Sequence, residues 1–252
     1  GNSFDAENFS VFQILSGVAR NTADILARAK EPEFSLGVGR EPEVDRMIAW
    51  THFISGLAHG YMAMTYDSAA IADWQDPPAD VPPLRSYPEV AEYAMAQFDS
   101  ALVYLDRPGV PAIPQGWLTG PGGSTVDVAR FRQAVRSFRA RMRAGVARDR
   151  DERAAVDWEA VIADAEAGIQ SDLVVSMNRS QQWDFHWLHT SYHYRDVTWH
   201  QMPYHIIGMA DVSGGFETWL SQPRDSRVPF LIITPDLRFP QGTTRQEQNA
   251  DR

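Results

Sequence analysis

The sequence contains no cysteine, which excludes disulfides, thiolate metal sites and a cysteine nucleophile. Lysine is almost missing as well: Lys30 is the only one, and the remaining basic charge is carried by arginine. No apolar run approaches the ~20 residues that a bilayer-spanning helix needs. Cationic stretches are also lacking, and a formal net charge of -10 repels phosphates and anionic headgroups, so nucleic acid is not expected as a partner. The opening residues Gly1-Asn2-Ser3-Phe4 lack the charged-then-apolar layout of a signal peptide, so the chain is either cytosolic or starts after processing or truncation. Catalytic signatures are equally scarce. There is no nucleophile elbow, no strand-preceded glycine-rich phosphate loop and no carboxylate pair at a suggestive spacing. Gly37-Val38-Gly39 and Gly120-Pro121-Gly122-Gly123 lack the strand-turn-helix context and read as turns. A non-enzymatic protein without a cofactor is therefore expected.

What is present is a chain of 252 residues, 44% of them hydrophobic, enough for a sizeable core. Phe9, Phe12, Leu15, Val18, Thr22, Ile25, Leu26 and Ala29 recur at three- and four-residue steps and predict a first helix. A second is predicted from about Val44 to Tyr66, with Gly56, Ala58, Gly60 and Ala63 allowing close approach of a neighbour. The Pro-containing, acidic segment from Asp67 to Tyr87 predicts an ordered loop with extended pieces. Pro88 suits a first helical position for a third helix running to about Asp106. Val128, Phe131, Val135, Phe138, Met142 and Val146 predict a fourth. Asp157 can cap a fifth that carries Trp158, Val161, Ile162, Ala165 and Ile169. The last two form a helical hairpin of tetratricopeptide type across a short charged turn. The class expected is mainly α: a tetratricopeptide-like helical-repeat scaffold with long loops, followed by a less regular, aromatic-rich C-terminal part.

Beyond Ser171 the helical periodicity is lost and five of the seven histidines crowd together with Trp183, Phe185, Trp187, Tyr192, Tyr194, Trp199 and Tyr204. Ser213 is placed to cap a short helix through Trp219 and Leu220, Val228 to Ile233 is a candidate strand, and residues from Gly242 onward read as a polar tail.

Candidate chemistry gathers in two places. Trp74 lies among Asp73, Gln75 and Asp76, and an indole flanked by carboxylates and amides offers a sugar a face to stack on and partners for its hydroxyls. The other reading is a Trp that plugs its loop onto the helices. Trp183, Trp187, Tyr192, Tyr194 and Trp199 could form a stacking platform with Asp184, His186, His189 and Arg195 around it, or could build a core beneath long loops. His186, His189 and His193 share an i, i+3, i+7 spacing that on a helix would suit a metal, completed by Asp184 or Asp196. No His-Glu-x-x-His pattern accompanies them, and a segment this rich in histidine supplies such spacings by chance. Arg132, Arg136, Arg139 and Arg143 form a stripe that either holds an anion or pairs with nearby acids.

Four features together resemble the SusD/RagB outer-membrane nutrient-binding lipoproteins. They are the second helix running into Tyr66-Asp67-Ser68 and a Trp/Asp/Pro loop; Ser86-Tyr87-Pro88-Glu89-Val90 opening a helix that ends in Ala101-Leu102; the Phe131 to Ile169 hairpin; and the stretch Asp211 to Gly242, with Trp219-Leu220, Arg227-Val228-Pro229-Phe230 and Thr234-Pro235-Asp236. The resemblance implies a single domain over residues 1–252: a helical scaffold over 1–170, an aromatic-rich part over 171–242 and a polar tail over 243–252. It further implies a protein lipid-anchored on the outer face of the outer membrane. Such a protein would bind an oligosaccharide or other polar nutrient and work with a TonB-dependent, SusC-like transporter. The family's lipidated cysteine is not in this chain, so the anchor would lie upstream of Gly1. A helical-repeat interaction or self-assembly protein is the alternative.

Overall fold

The structure is a computed structural model that describes residues 6–76, 82–120, 123–176, 204–237 and 239–250. Among the described residues helix makes up 58% and strand 4%, so the class is mainly α. The chain divides into two compact units, Gly1–Gln181 and Gln182–Arg252.

In the first unit, α1 spans Ala6–Ala29, α2 Glu41–Thr65, α3 Tyr87–Leu105, α4 Val128–Gly145, α5 Arg150–Ala155 and α6 Trp158–Glu166. The central element is α2, which packs on α1, α3 and α4 and so buries residues around most of its circumference. That explains why its sequence lacks a clean polar face. Phe53, Phe98, Phe131 and Met142 are fully buried at its heart, with the Phe53 and Phe131 rings edge to face at 5.2 Å. Each buried phenylalanine contributes roughly 2–3 kcal/mol of hydrophobic stabilisation. Gly56 and Gly60 allow the close contacts that the small-residue run predicts. A Cβ at Gly56 would stand 2.9 Å from the Phe98 ring, and one at Gly60 would collide with Met142 Sδ.

The helix ends are held by specific acceptors and donors. Glu89 accepts the Ser86 N–H at 2.9 Å and the Ser86 hydroxyl at 2.6 Å, opening α3. Asp127 accepts the Arg130 N–H at 2.7 Å and Asp157 that of Ala160 at 2.9 Å. Arg148 closes α2 by donating to the carbonyls of Ala63 at 3.0 Å and Tyr66 at 2.6 Å, with its guanidinium 3.7 Å from the Tyr87 ring centroid. The loop expected between α2 and α3 contains a two-stranded antiparallel pair, β1 (Ser68–Ala70) and β2 (Leu84–Ser86), with Ala69 opposite Arg85.

Two local readings change. The charged turn before α6 is itself helical over Arg150–Ala155, because Asp149 caps it by accepting the Asp151 and Glu152 N–H groups, each at 2.9 Å. The helix expected to reach Ile169 stops at Glu166, and the Ile169 N–H goes instead to Ser137 Oγ at 2.8 Å.

The second unit contains α7 (Tyr204–Ala210), α8 (Gly215–Ser221), a 3-10 turn at Arg224–Ser226 and α9 (Arg245–Ala250). Its organising group is Asp211, 7% exposed. Its carboxylate accepts from Ser213 Oγ at 2.8 Å, Ile233 N–H at 3.0 Å and Phe216 N–H at 3.0 Å. Burial opposes its charge, but these donors outweigh it and hold the carboxyl below its usual range. The N-cap of α8 is Gly214, in the left-handed region at φ 75°, while Ser213 Oγ accepts the Gly215 N–H at 3.1 Å and Asp211 that of Phe216, so that both satisfy the first turn from outside the helix. Val228 to Ile233 is extended but forms no strand, since Ile233 bonds Val212 and Asp211 rather than a neighbouring strand. In the segment read as a polar tail, Arg245–Ala250 is helical: Glu247 accepts the Thr243 and Thr244 N–H groups, and the buried Gln248 donates to the Ile232 carbonyl at 2.6 Å.

Candidate functional site

On α2, His52, Ser55 and His59 follow at three- and four-residue steps and all three are buried. A polar line inside an apolar core must find partners. His52 Nδ1 meets Gln97 Oε1 of α3 at 2.7 Å, so this nitrogen carries the proton. His52 Nε2 is buried with no hydrogen-bond partner. Burial pushes His52 down to about 4, opposed by the Gln97 bond and assisted by the Lys30 charge.

His59 Nδ1 bonds the Ser55 carbonyl at 2.8 Å, which assigns its proton to that nitrogen and leaves Nε2 as an acceptor. Burial, against the Ser55 bond, pushes its pKa down to about 4. Nε2 accepts the Ala72 N–H at 3.3 Å, while the Ala72 carbonyl accepts the Tyr93 hydroxyl of α3 at 3.2 Å. Both backbone groups of Ala72 are thus held by side chains of two different helices, the buried His59 and the half-buried Tyr93.

The next residues are Asp73 and Trp74, so the turn that carries them leaves a fixed point. Asp73 Oδ1 accepts the Gln75 N–H at 2.9 Å and the Asp73 carbonyl accepts the Asp76 N–H at 3.2 Å, giving a tight turn. Asp76 and Gln75 are exposed. The Trp74 indole is half-buried and packs with Leu26, Ala29, Ile48 and Tyr104. The Lys30 ammonium, at the end of α1, stands 4.3 Å from the Trp74 ring centroid and 5.5 Å from that of Tyr104. On the other side of this group the Arg107 guanidinium lies 4.0 Å from the Tyr104 ring centroid and pairs with Asp45 at 2.6 Å. Burial lowers the Lys30 pKa, Asp73 counters it and Arg107 adds to it.

Of the candidates expected from sequence, Asp73, Trp74 and Asp76 stand together on this turn. Trp183, Trp187, Tyr192, Tyr194 and Trp199, with Asp184, His186, His189, His193, Arg195 and Asp196, lie outside the described residues. Among the described residues no group of three or more His, Asp or Glu side chains is placed to hold a metal. The arginine stripe has carboxylate partners: Arg136, Arg139 and Arg143 all reach Asp164, which is 2% exposed, and Arg132 pairs with Asp106.

Lys30 and the His52–His59 line belong to this site, and neither is singled out by spacing alone. The available signal was a pair of histidines at i and i+7 on a helix that carries no charged group after Arg46. In the second unit, Ser213, Gly214, Thr218, Trp219, Gln222 and Phe230 line a pocket of about 250 Å³, but Trp219 stacks on Phe216 at 5.9 Å and lies under Arg227 at 4.7 Å. No family model matches this chain, and no curated protein or solved structure matches it.

Proposed function

We propose that this chain is a non-catalytic nutrient-binding protein of SusD/RagB type, built on a tetratricopeptide-like helical-repeat scaffold. It takes up an oligosaccharide or similar polar ligand at the Trp74 turn and passes it to a TonB-dependent, SusC-like transporter. It works on the outer face of the outer membrane, anchored by a lipid carried upstream of this chain. The observation that carries the reading is the Trp74 turn itself. An indole, an ammonium, a tyrosine ring and exposed amide and carboxylate groups share one rim, on backbone pinned by His59 and Tyr93. Such a mixture of ring and polar groups on a preorganised loop suits a hydroxyl-rich ligand, because little order has to be created on binding.

The test is a calorimetric or array screen of the purified chain against plant, algal and bacterial polysaccharides, repeated with Trp74→Ala and with the exposed Asp76→Ala. Saturable binding that is lost in both variants supports the site. Binding unchanged in both, with folding verified by circular dichroism, moves the site elsewhere. A clean negative on folded protein favours the second reading, a helical-repeat interaction or self-assembly protein. One observation speaks for that alternative: Val11, Ile14 and Ile25 share one side of α1 and are 45%, 64% and 45% exposed. Ligand-independent self-association in light scattering is its signature.

A further inference from the structure

Among the described residues two of the carboxylates around the Trp74 rim are already engaged, and the third, Asp76, is exposed. Asp45 is paired with Arg107, and Asp73 is turned toward the Gln75 N–H. Lys30 is different. No described carboxylate lies within ion-pair distance of its ammonium and no described acceptor hydrogen-bonds it. Among the described residues it lies against two aromatic faces, Trp74 at 4.3 Å and Tyr104 at 5.5 Å, and the Asp73 charge acts on it from beyond ion-pair distance. This ammonium, on a half-buried lysine, has ring faces where an ion-pair partner would stand. Ring quadrupoles replace only part of what water or a carboxylate supplies.

We propose that the ligand seated at the Trp74 turn carries a carboxylate, that it is an acidic oligosaccharide built of uronic acid units, and that Lys30 is its ion-pair partner. This inference rests on the binding reading above. The geometry suits that class: a uronate presents an apolar C–H ring face and a carboxylate on the same ring, and at the rim the ammonium lies against the Trp74 and Tyr104 rings. A neutral sugar would leave the ammonium unmatched. The chain's net charge of -10 repels polyanions at long range, so recognition depends on this local pairing and weakens with added salt only to the extent expected of one partly buried contact.

The test uses the full chain with oligogalacturonate and oligoalginate, each compared with its carboxyl-reduced, neutral counterpart. Acid is expected to bind about tenfold more tightly than its neutral counterpart, the gain of one charge-assisted contact. Lys30→Gln, which keeps most of the stem and removes the charge, erases that difference, and Lys30→Arg retains most of it. A second readout does not depend on any variant. Because Lys30 is the only lysine, peptide mapping after amine acylation reports it alone, and the acidic oligosaccharide protects it whereas the neutral one does not. Equal binding of acidic and neutral forms, with Lys30 equally acylated in both, overturns the inference and leaves the binding reading standing. Binding of no saccharide by folded protein removes the binding reading and the inference with it.

Discussion

His59 of α2 and Ala72 of the loop before Trp74 are joined by a hydrogen bond in which the imidazole Nε2 accepts the Ala72 N–H at 3.3 Å. The bond exists only while His59 is neutral, because its other nitrogen already spends its proton on the Ser55 carbonyl at 2.8 Å. The position of the Trp74 turn is therefore tied to the protonation state of a buried group.

The stability of the protein should fall on mild acidification. His52 and His59 have folded pKa values lowered to about 4 from the ordinary imidazole value of 6.5, so as pH falls the unfolded chain takes up protons first. The stabilisation is complete above the unfolded pKa and is lost progressively down to the folded one. At pH 5 the loss is on the order of 2 kcal/mol per histidine. Urea midpoints measured between neutral pH and pH 5 check this, and a flat profile would contradict two buried neutral imidazoles.

Asp164 is the single carboxylate on which Arg136, Arg139 and Arg143 of α4 converge from α6. Asp164→Ala leaves Arg139, 12% exposed, without its buried partner and with the exposed Asp99 as its remaining carboxylate among the described residues. A loss of about 2–4 kcal/mol is expected, at the lower end of the range for breaking a buried pair because Arg136 and Arg143 reach solvent. Chemical denaturation measures it, and a change below 1 kcal/mol would assign the α4–α6 contact to apolar packing instead.

Two glycine-to-alanine substitutions should act in opposite directions. Gly17, within α1, has open space where a Cβ would go, so Gly17→Ala stabilises by about 0.5–1 kcal/mol through helix propensity. Gly60→Ala drives a methyl into Met142, which is fully buried, and destabilises by about 1–3 kcal/mol despite the same propensity gain. Thermal melts of both variants and of Gly60→Ala combined with Met142→Ala decide the matter; no partial recovery in the double variant would exclude a steric cause.

In the second unit, Asp211→Ala removes the acceptor for the Phe216 and Ile233 N–H groups and for Ser213 Oγ. Three buried or half-buried donors lose a charged partner, which costs about 2–4 kcal/mol. Amide exchange at Phe216 and Ile233 should accelerate while the protection of Phe53 and Phe98 in the first unit stays as it was. Equal acceleration in both units would show that they unfold together.

Periodic apolar spacing was enough to place α1, α2, α3, α4 and α6 and the mainly helical class, because a helix that packs on a core must repeat its buried side chains every three to four residues. Asp157 as a cap and Asp73, Trp74 and Asp76 as one local group were legible for the same reason: each depends on neighbours in sequence. What surrounds the Trp74 turn was not. Lys30 over its indole, the His59 bond to Ala72, the pairing of β1 with β2 and the gathering of three arginines on Asp164 all join different elements. Their partners are selected by how helices cross and by which buried polar atom needs a donor or acceptor, and spacing along one strand of chain carries no record of that choice. The helix Arg245–Ala250 shows the same limit: five polar residues and an alanine look like a tail until Gln248 finds the Ile232 carbonyl.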